Sequence, residues 1–540
     1  MNKSQKRGVF ISILLCIFTF ITYRIRINET YDISKLLNRL SSGMQIRQIL
    51  ASYVLFFIGY CGRIGKKSKL GTWSNIAVSY ILGAAIWGIG SISCLFIGVN
   101  YNLISIFLGL GIGIFVLRFF LNGYLEQNII FFIYDSIIFI GIAAFASTGL
   151  MNISYGTGDS QYLIQQWGKG IAILGEINNT QQTFLTSTGM LPATFSSLTY
   201  FFGADNIYTI HHCFEICFWI LYGKIIEETL FQNKNYDSNK RKMISIGLSI
   251  ITYTLPPIRL LSGWIISHTY SMIYIFILCY YLKRMLESKE EALLEHKIFI
   301  HIIVIAIMLL RVDSPITICV IIGCFSICYV NKCKKLMAFL LSAFITFLLY
   351  YLKIFSILKN GLNGHFVNIE TLLLMVAAFV IVGSFILLGD RLTRAISKEH
   401  LCKICYASLF AFNLIMFIIF GETYLENMHT VLQNTVTVDW FWGGTLGIMA
   451  ICLLYMVSKK QKQDVYLLLG ICLLIVYIDL GVLRTINGLI AARLGPGDSI
   501  NRAIISVLPV FCYDFYFKLF SAYGATEKMS VTLDSEMSED

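Results

Sequence analysis

Charged side chains are scarce in this chain, so those that interrupt its apolar runs are the first places to look for chemistry. The stretch YGTGDSQYLIQQWGKG, residues 155–170, puts Asp159 just past a glycine and at the start of a polar helix. A carboxylate there can take a proton from an attacking hydroxyl as a general base, hold a divalent cation, or accept backbone N–H bonds as a helix cap. In LLRVDSP, residues 309–315, Arg311 and Asp313 stand two apart before a proline. They form an ion pair, or Arg311 faces an anionic ligand. His211 and Glu215 are four apart in an apolar run and share one helix face. Glu215 lies about 12 Å along that helix by rise alone. An ionisable group at that depth is either a hydrogen-bonded core partner or part of a functional interior. Arg502 follows Asn501 at the start of another apolar run, where a helix N-terminus can receive an anion.

The elements that must position these residues follow from composition. Of 540 residues 57% are hydrophobic and 14% charged, against about 25% charged in soluble domains. Apolar runs of about 17 or more residues recur along the whole length, without the period-two alternation of a barrel. The expected fold class is all-α, a polytopic helical integral membrane protein with about 14–16 transmembrane helices. The first run, Val9 to Tyr23, follows Lys3, Lys6 and Arg7 and is succeeded by Arg24 and Arg26. With no small-residue cleavage site it reads as a span rather than a signal peptide.

Loops 63–69, 233–242, 283–297, 331–335, 390–403 and 458–462 are basic, and about 29 of the 42 Lys and Arg fall on their side. That side is cytoplasmic, both termini lie there, and the location is the plasma membrane. The net charge of +11 reports this orientation and not a nucleic-acid partner. The 15 Cys lie in spans or at their cytoplasmic ends, which argues against a disulfide framework. Cys402 and Cys405 form a CxxC, but without a second pair it is a weak metal signal. Neither a P-loop nor a GxGxxG fingerprint occurs.

The longest external loop is 152–206, with Lys169 its single base. Leu163, Trp167, Ile171 and Leu174 repeat at helical spacing, as in a helix resting on the outer interface. Pro192 opens a second helix over 192–202. The run Ile298–Leu310 gives about 20 Å of helix, short of a hydrocarbon core near 30 Å. Arg311–Pro315 should then break below the outer surface, unless the helix extends into 295–297. Glu422, Glu426, His429 and Asp439 crowd another external loop, 422–441. Residues 1–127 read as an N-terminal membrane region, 128–520 as the core and 521–540 as a disordered acidic tail.

The stretch Gly158–Tyr162, the segment TSTGMLPATFSSLTYFFG (186–203), GWIISHTYSMIYIFILCYYLKRM (263–285), LLRVDSPITICVIIGCF (309–325) and ARLGPGDSINRAIISVLPVFCY (492–513), in that order and sidedness, resemble the GT-C superfamily of membrane glycosyltransferases. The resemblance covers roughly residues 129–520 and implies a GT-C-like core with interfacial helices in the large external loop. It differs in its extra N-terminal spans and in offering His268 where the family often has a second acid. The activity it implies is transfer of a sugar from a polyprenyl-phosphate carrier to an extracytoplasmic glycan, lipid or protein acceptor, with inversion. Asp159 would be the catalytic base, and Tyr162 completes the D-x-x-Y pattern. Arg502, Arg259 and Arg311 are candidates for the carrier phosphate, Asp313 and His268 for the same substrate site, and a divalent cation is an open possibility at Asp159. Each external arginine has an alternative role as an interfacial anchor. The competing reading is a transporter or flippase of lipid-linked saccharides.

Overall fold

The computed structural model describes residues 43–62, 71–98, 110–114, 125–147, 164–175, 189–204, 207–230, 238–287, 294–357, 369–436, 445, 465–486 and 499–519. Asp159 and Tyr162 lie outside them. Among the described residues the architecture is all-helical, with no β-strand.

In chain order the helices are α1 (Met44–Gly62), α2 (Thr72–Ile97), α3 (Leu125–Ala146), α4 (Trp167–Leu174), α5 (Leu191–Phe201) and α6 (Tyr208–Leu230). Next come α7 (Ser238–Thr254), α8 (Pro256–Ser262), α9 (Ser267–Glu287), α10 (Leu294–Met308), α11 (Ser314–Cys328) and, after a 3-10 turn at Val330–Leu336, α12 (Met337–Ile357). The series closes with α13 (Ile369–Ala395), α14 (Lys398–Val436), α15 (Val465–Ile486), α16 (Ser499–Ile504) and α17, 508–519.

Among the described residues four stretches are long and apolar enough to cross a membrane: Thr72–Ile97, Val330–Ile354, Leu372–Gly389 and Glu399–Thr430. A fifth is added if α7 and α8, bent by 76°, count as one. This is fewer than the 14–16 expected. The first apolar run lies outside the described residues, and others are apolar but short. The 15 residues of α10 and the 15 of α11 each rise only about 22 Å.

Helix α7 carries its own evidence for a lipid surrounding. Its buried stripe is polar, Ser245, Ser249 and Thr252, while Met243, Ile246, Ile250 and Ile251 are 55–74% exposed. Water would impose the reverse arrangement. Outward-facing apolar side chains continue along α13 and α14, with Ile381, Phe410 and Ile418 all largely exposed.

The chain forms two compact units. The first comprises Met1–Leu221, Ser262–Ile318 and Ala338–Phe379; the second comprises Tyr222–Leu261, Cys319–Met337 and Val380–Asp540. In the first unit α1 and α2 cross so closely that a Cβ on Gly83 would lie 1.7 Å from Leu55 O, and one on Gly59 1.7 Å from Ser79 O. Helix α5 is buried along most of its length against α2 and α4. Trp87 Nε1 donates to Thr194 O at 2.9 Å, and Gly168 lies against Ser196 and Ala193. Trp167 and Ile171 are buried, while Lys169 is exposed, so these two face protein because the small residues of α5 admit them.

In the second unit the hydroxyl stripe of α7 meets α6 and α17. Thr252 Oγ1 lies 3.0 Å from Tyr516 Oη, and Tyr222 donates its hydroxyl to Pro509 O at 3.2 Å. Helix α14 packs along α15 and bends at Gly421, whose φ is 51°. The expected loop after residue 421 is instead helical as far as Val436, with Glu422, Glu426 and His429 exposed on it. No proline interrupts that stretch, so the chain resumes the helix once the glycine has absorbed the bend.

Candidate functional site

The site begins where a helix is forced to stop. Pro315 disfavours helical backbone at Ser314 and supplies no N–H to a continuing helix, but it suits the first turn of α11. The intervening residues, 309–313, form a break. Helix α10 starts at Leu294, so it does extend through 295–297, yet it remains about 22 Å long.

Within the break Arg311 grips Asp313 with two parallel hydrogen bonds, Nε to Oδ1 at 2.7 Å and Nη2 to Oδ2 at 3.1 Å. Such a fork fixes the guanidinium plane. The remaining nitrogen, Nη1, points to the start of α9, 3.4 Å from Ser267 Oγ and 3.2 Å from His268 Nδ1, with His268 Nε2 also against it. The side chains of Arg311 and Asp313 are 18% and 10% exposed, so the pair is shielded but still reachable.

The residues just before α5 hold this break in place. Gly189 N donates to Leu310 O at 3.1 Å and Leu191 N to Leu309 O at 3.0 Å, satisfying carbonyls that the end of α10 leaves without helical partners. Only glycine fits at the first position, because a Cβ there would lie 2.2 Å from Leu309 O. Tyr351 donates to Val312 O at 2.9 Å from the side of α12. Every one of these residues belongs to the first unit.

A second polar group lies deeper in the same unit. His211 is fully buried, with Nδ1 3.0 Å from Tyr270 Oη and Nε2 2.7 Å from Ser262 O. The Glu215 carboxyl, one turn on, lies beside the Ser262 hydroxyl. His211 and Glu215 therefore find their neighbours on the 262–270 segment rather than in each other. That segment carries both groups, since Ser267 and His268 face Arg311 while Ser262 and Tyr270 face α6.

Of the residues expected to form a site, His268, Arg311 and Asp313 are brought together. Arg259 is exposed on α8 and Arg502 is buried on α16, both in the second unit. Sequence reasoning missed Gly189, Ser262, Ser267 and Tyr270. Gly189 stands in a Gly-Met-Leu-Pro turn that could have flagged a close approach, whereas an isolated serine or tyrosine carries no such signal. Among the described residues no three His, Cys, Asp or Glu side chains are arranged to hold a metal ion. The arrangement suits an anion: a shielded, oriented guanidinium edge flanked by a hydroxyl and an imidazole. Compared with known proteins, the chain matches no family model, no curated protein and no solved structure.

Proposed function

We propose that this chain is a polytopic membrane glycosyltransferase of GT-C type that uses a polyprenyl-phosphate sugar. The observation that supports it best is the meeting of Arg311 with Ser267 and His268 at a helix break. In this reading Nη1 of Arg311 and the Ser267 hydroxyl receive oxygens of the carrier phosphate, and Asp313 keeps the guanidinium from turning away. As the acceptor oxygen bonds to the anomeric carbon, the bond from that carbon to the phosphate oxygen breaks. The charge left on phosphate is stabilised by the guanidinium, pre-oriented for it. The acceptor's proton passes to Asp159, with Tyr162 on the same segment. In this reading a divalent cation can be held at Asp159. The bilayer delivers the donor, and the acceptor, a glycan, lipid or protein, arrives from outside with both chain termini in the cytoplasm.

A transporter or flippase of lipid-linked saccharides is the second reading. The 76° bend between α7 and α8 and the break at 309–313 favour it, since transporters bind substrate at discontinuous helices. The test is transfer from polyprenyl phosphates bearing radiolabelled mannose, glucose or arabinose in proteoliposomes, with and without added magnesium. Transfer that Asp159→Asn and Arg311→Gln abolish supports the enzyme. Movement of the intact lipid across the bilayer without transfer supports the transporter.

A further inference from the structure

In the second unit two cysteines face each other across the seam between α14 and α15, with two further cysteines nearby. Cys405 Sγ of α14 lies 3.8 Å from Cys472 Sγ of α15. Cys324 of α11 hydrogen-bonds to Cys472, and Cys402, one turn before Cys405, lies within electrostatic reach of both. We propose that Cys405 and Cys472 are a reversible thiol–disulfide pair that cross-links α14 to α15.

The geometry makes this pair the natural one. A disulfide bond is about 2 Å long, so the sulfurs must close by about 1.8 Å to form it. Cys405 is half-buried, whereas Cys324, Cys402 and Cys472 are buried, so a diffusible oxidant meets Cys405 first. A low-molecular-weight disulfide is that oxidant. The Cys405 sulfur, giving up its proton, attacks one sulfur of the oxidant and expels the other as a thiolate. Cys472 then attacks Cys405 and expels the second thiolate. Two protein thiols are oxidised to one disulfide, the oxidant is reduced to two thiols, and the two protons pass to the leaving thiolates. The hydrogen-bonded Cys324 thiol is placed to exchange with the new bond.

The cross-link would act on a seam with a second rung. Farther along the same two helices Asn413 Nδ2 donates to Asp479 Oδ2 at 3.2 Å, and Tyr424 donates to Asn413 Oδ1 at 2.7 Å from beyond the bend at Gly421. Oxidation at one end would fix the spacing of the helices that carry this polar chain.

The experiment treats the full chain in native membranes with glutathione disulfide, alkylates the remaining thiols, digests, and identifies linked peptides by mass spectrometry. The expected product is a Cys405–Cys472 peptide that dithiothreitol reverses. It should fall to background in Cys405→Ser and in Cys472→Ser, and persist in Cys402→Ser. Alkylation rates on the untreated wild type give a second reading that needs no variant, with Cys405 labelled before Cys472. A linkage through Cys402 or Cys324 instead, the absence of any linkage while Cys405 alkylates freely, or zinc retained by the purified chain at one equivalent and lost from Cys405→Ser would each overturn the proposal.

Discussion

Arg311 Nη1 and His268 Nδ1 stand 3.2 Å apart at the junction of two helix starts and one helix end. The helices α9 and α10 run out and back between them, packed against each other, and so return the chain to the level it left. A pair of neighbouring helices thus turns two distant residues into one polar edge.

Asp313 matters to that edge through charge as well as shape. Asp313→Asn keeps the volume but leaves a shielded guanidinium without its counter-charge. The cost should be about 1–3 kcal/mol, less than the 3–5 kcal/mol of a fully buried pair because both side chains retain some exposure. Thermal unfolding in detergent would register it, and a synthetic polyprenyl phosphate should bind more weakly to the variant. Unchanged stability and binding would remove Asp313 from the site.

Gly189→Ala tests the docking of the loop end onto the break. The new methyl would overlap Leu309 O and the Leu310 carbonyl carbon, so the two backbone hydrogen bonds must lengthen or break, at about 1–3 kcal/mol. Gly113→Ala is the matched control, with nothing within 4 Å of its Cβ. Proteolysis near residue 189 should accelerate in the first variant alone.

The crossing of α1 and α2 makes a similar contrast. At Gly83 a Cβ meets backbone of the facing helix, while at Gly247 of α7 it meets nothing within 4 Å. Gly83→Ala should destabilise by about 1–3 kcal/mol, and Gly247→Ala should stabilise by about 0.8 kcal/mol from helix propensity. Unfolding midpoints of the two variants measured side by side should shift in opposite directions.

Helix α7 offers a direct probe of the surrounding medium. Nitroxide labels at Met243 and Ile250 should be relaxed by oxygen and protected from a water-soluble nickel complex, as for side chains in acyl chains. Equal access of the nickel complex to both would place that face in water. On the inner face Thr252→Val removes the hydroxyl bonded to Leu248 O and facing Tyr516, costing about 1–2 kcal/mol.

Much of this architecture was legible in the chain itself. Abundant apolar residues, few charges and basic loops point to helices in a bilayer, because lipid leaves backbone N–H and C=O groups no other partner. The R-x-D-x-P pattern marked the break before Ser314, since proline disfavours helical backbone at the residue before it. What local pattern could not supply was partnership across space. Helical periodicity showed that Trp167 and Ile171 share a face but not whether lipid or α5 covers it. Apolar runs looked like spans whether they make a full crossing or a short helix ended by a break. Cys402 and Cys405 lacked a second pair in sequence, and folding brought Cys472 and Cys324 to them from α15 and α11. His268, Ser267 and Gly189 became neighbours of the Arg311 break only through the packing of α5, α9 and α10. Sequence spacing governs what meets within a helix, at three or four residues; what meets between helices is set by crossing geometry, which in this chain depends on glycines and serines too small to announce themselves.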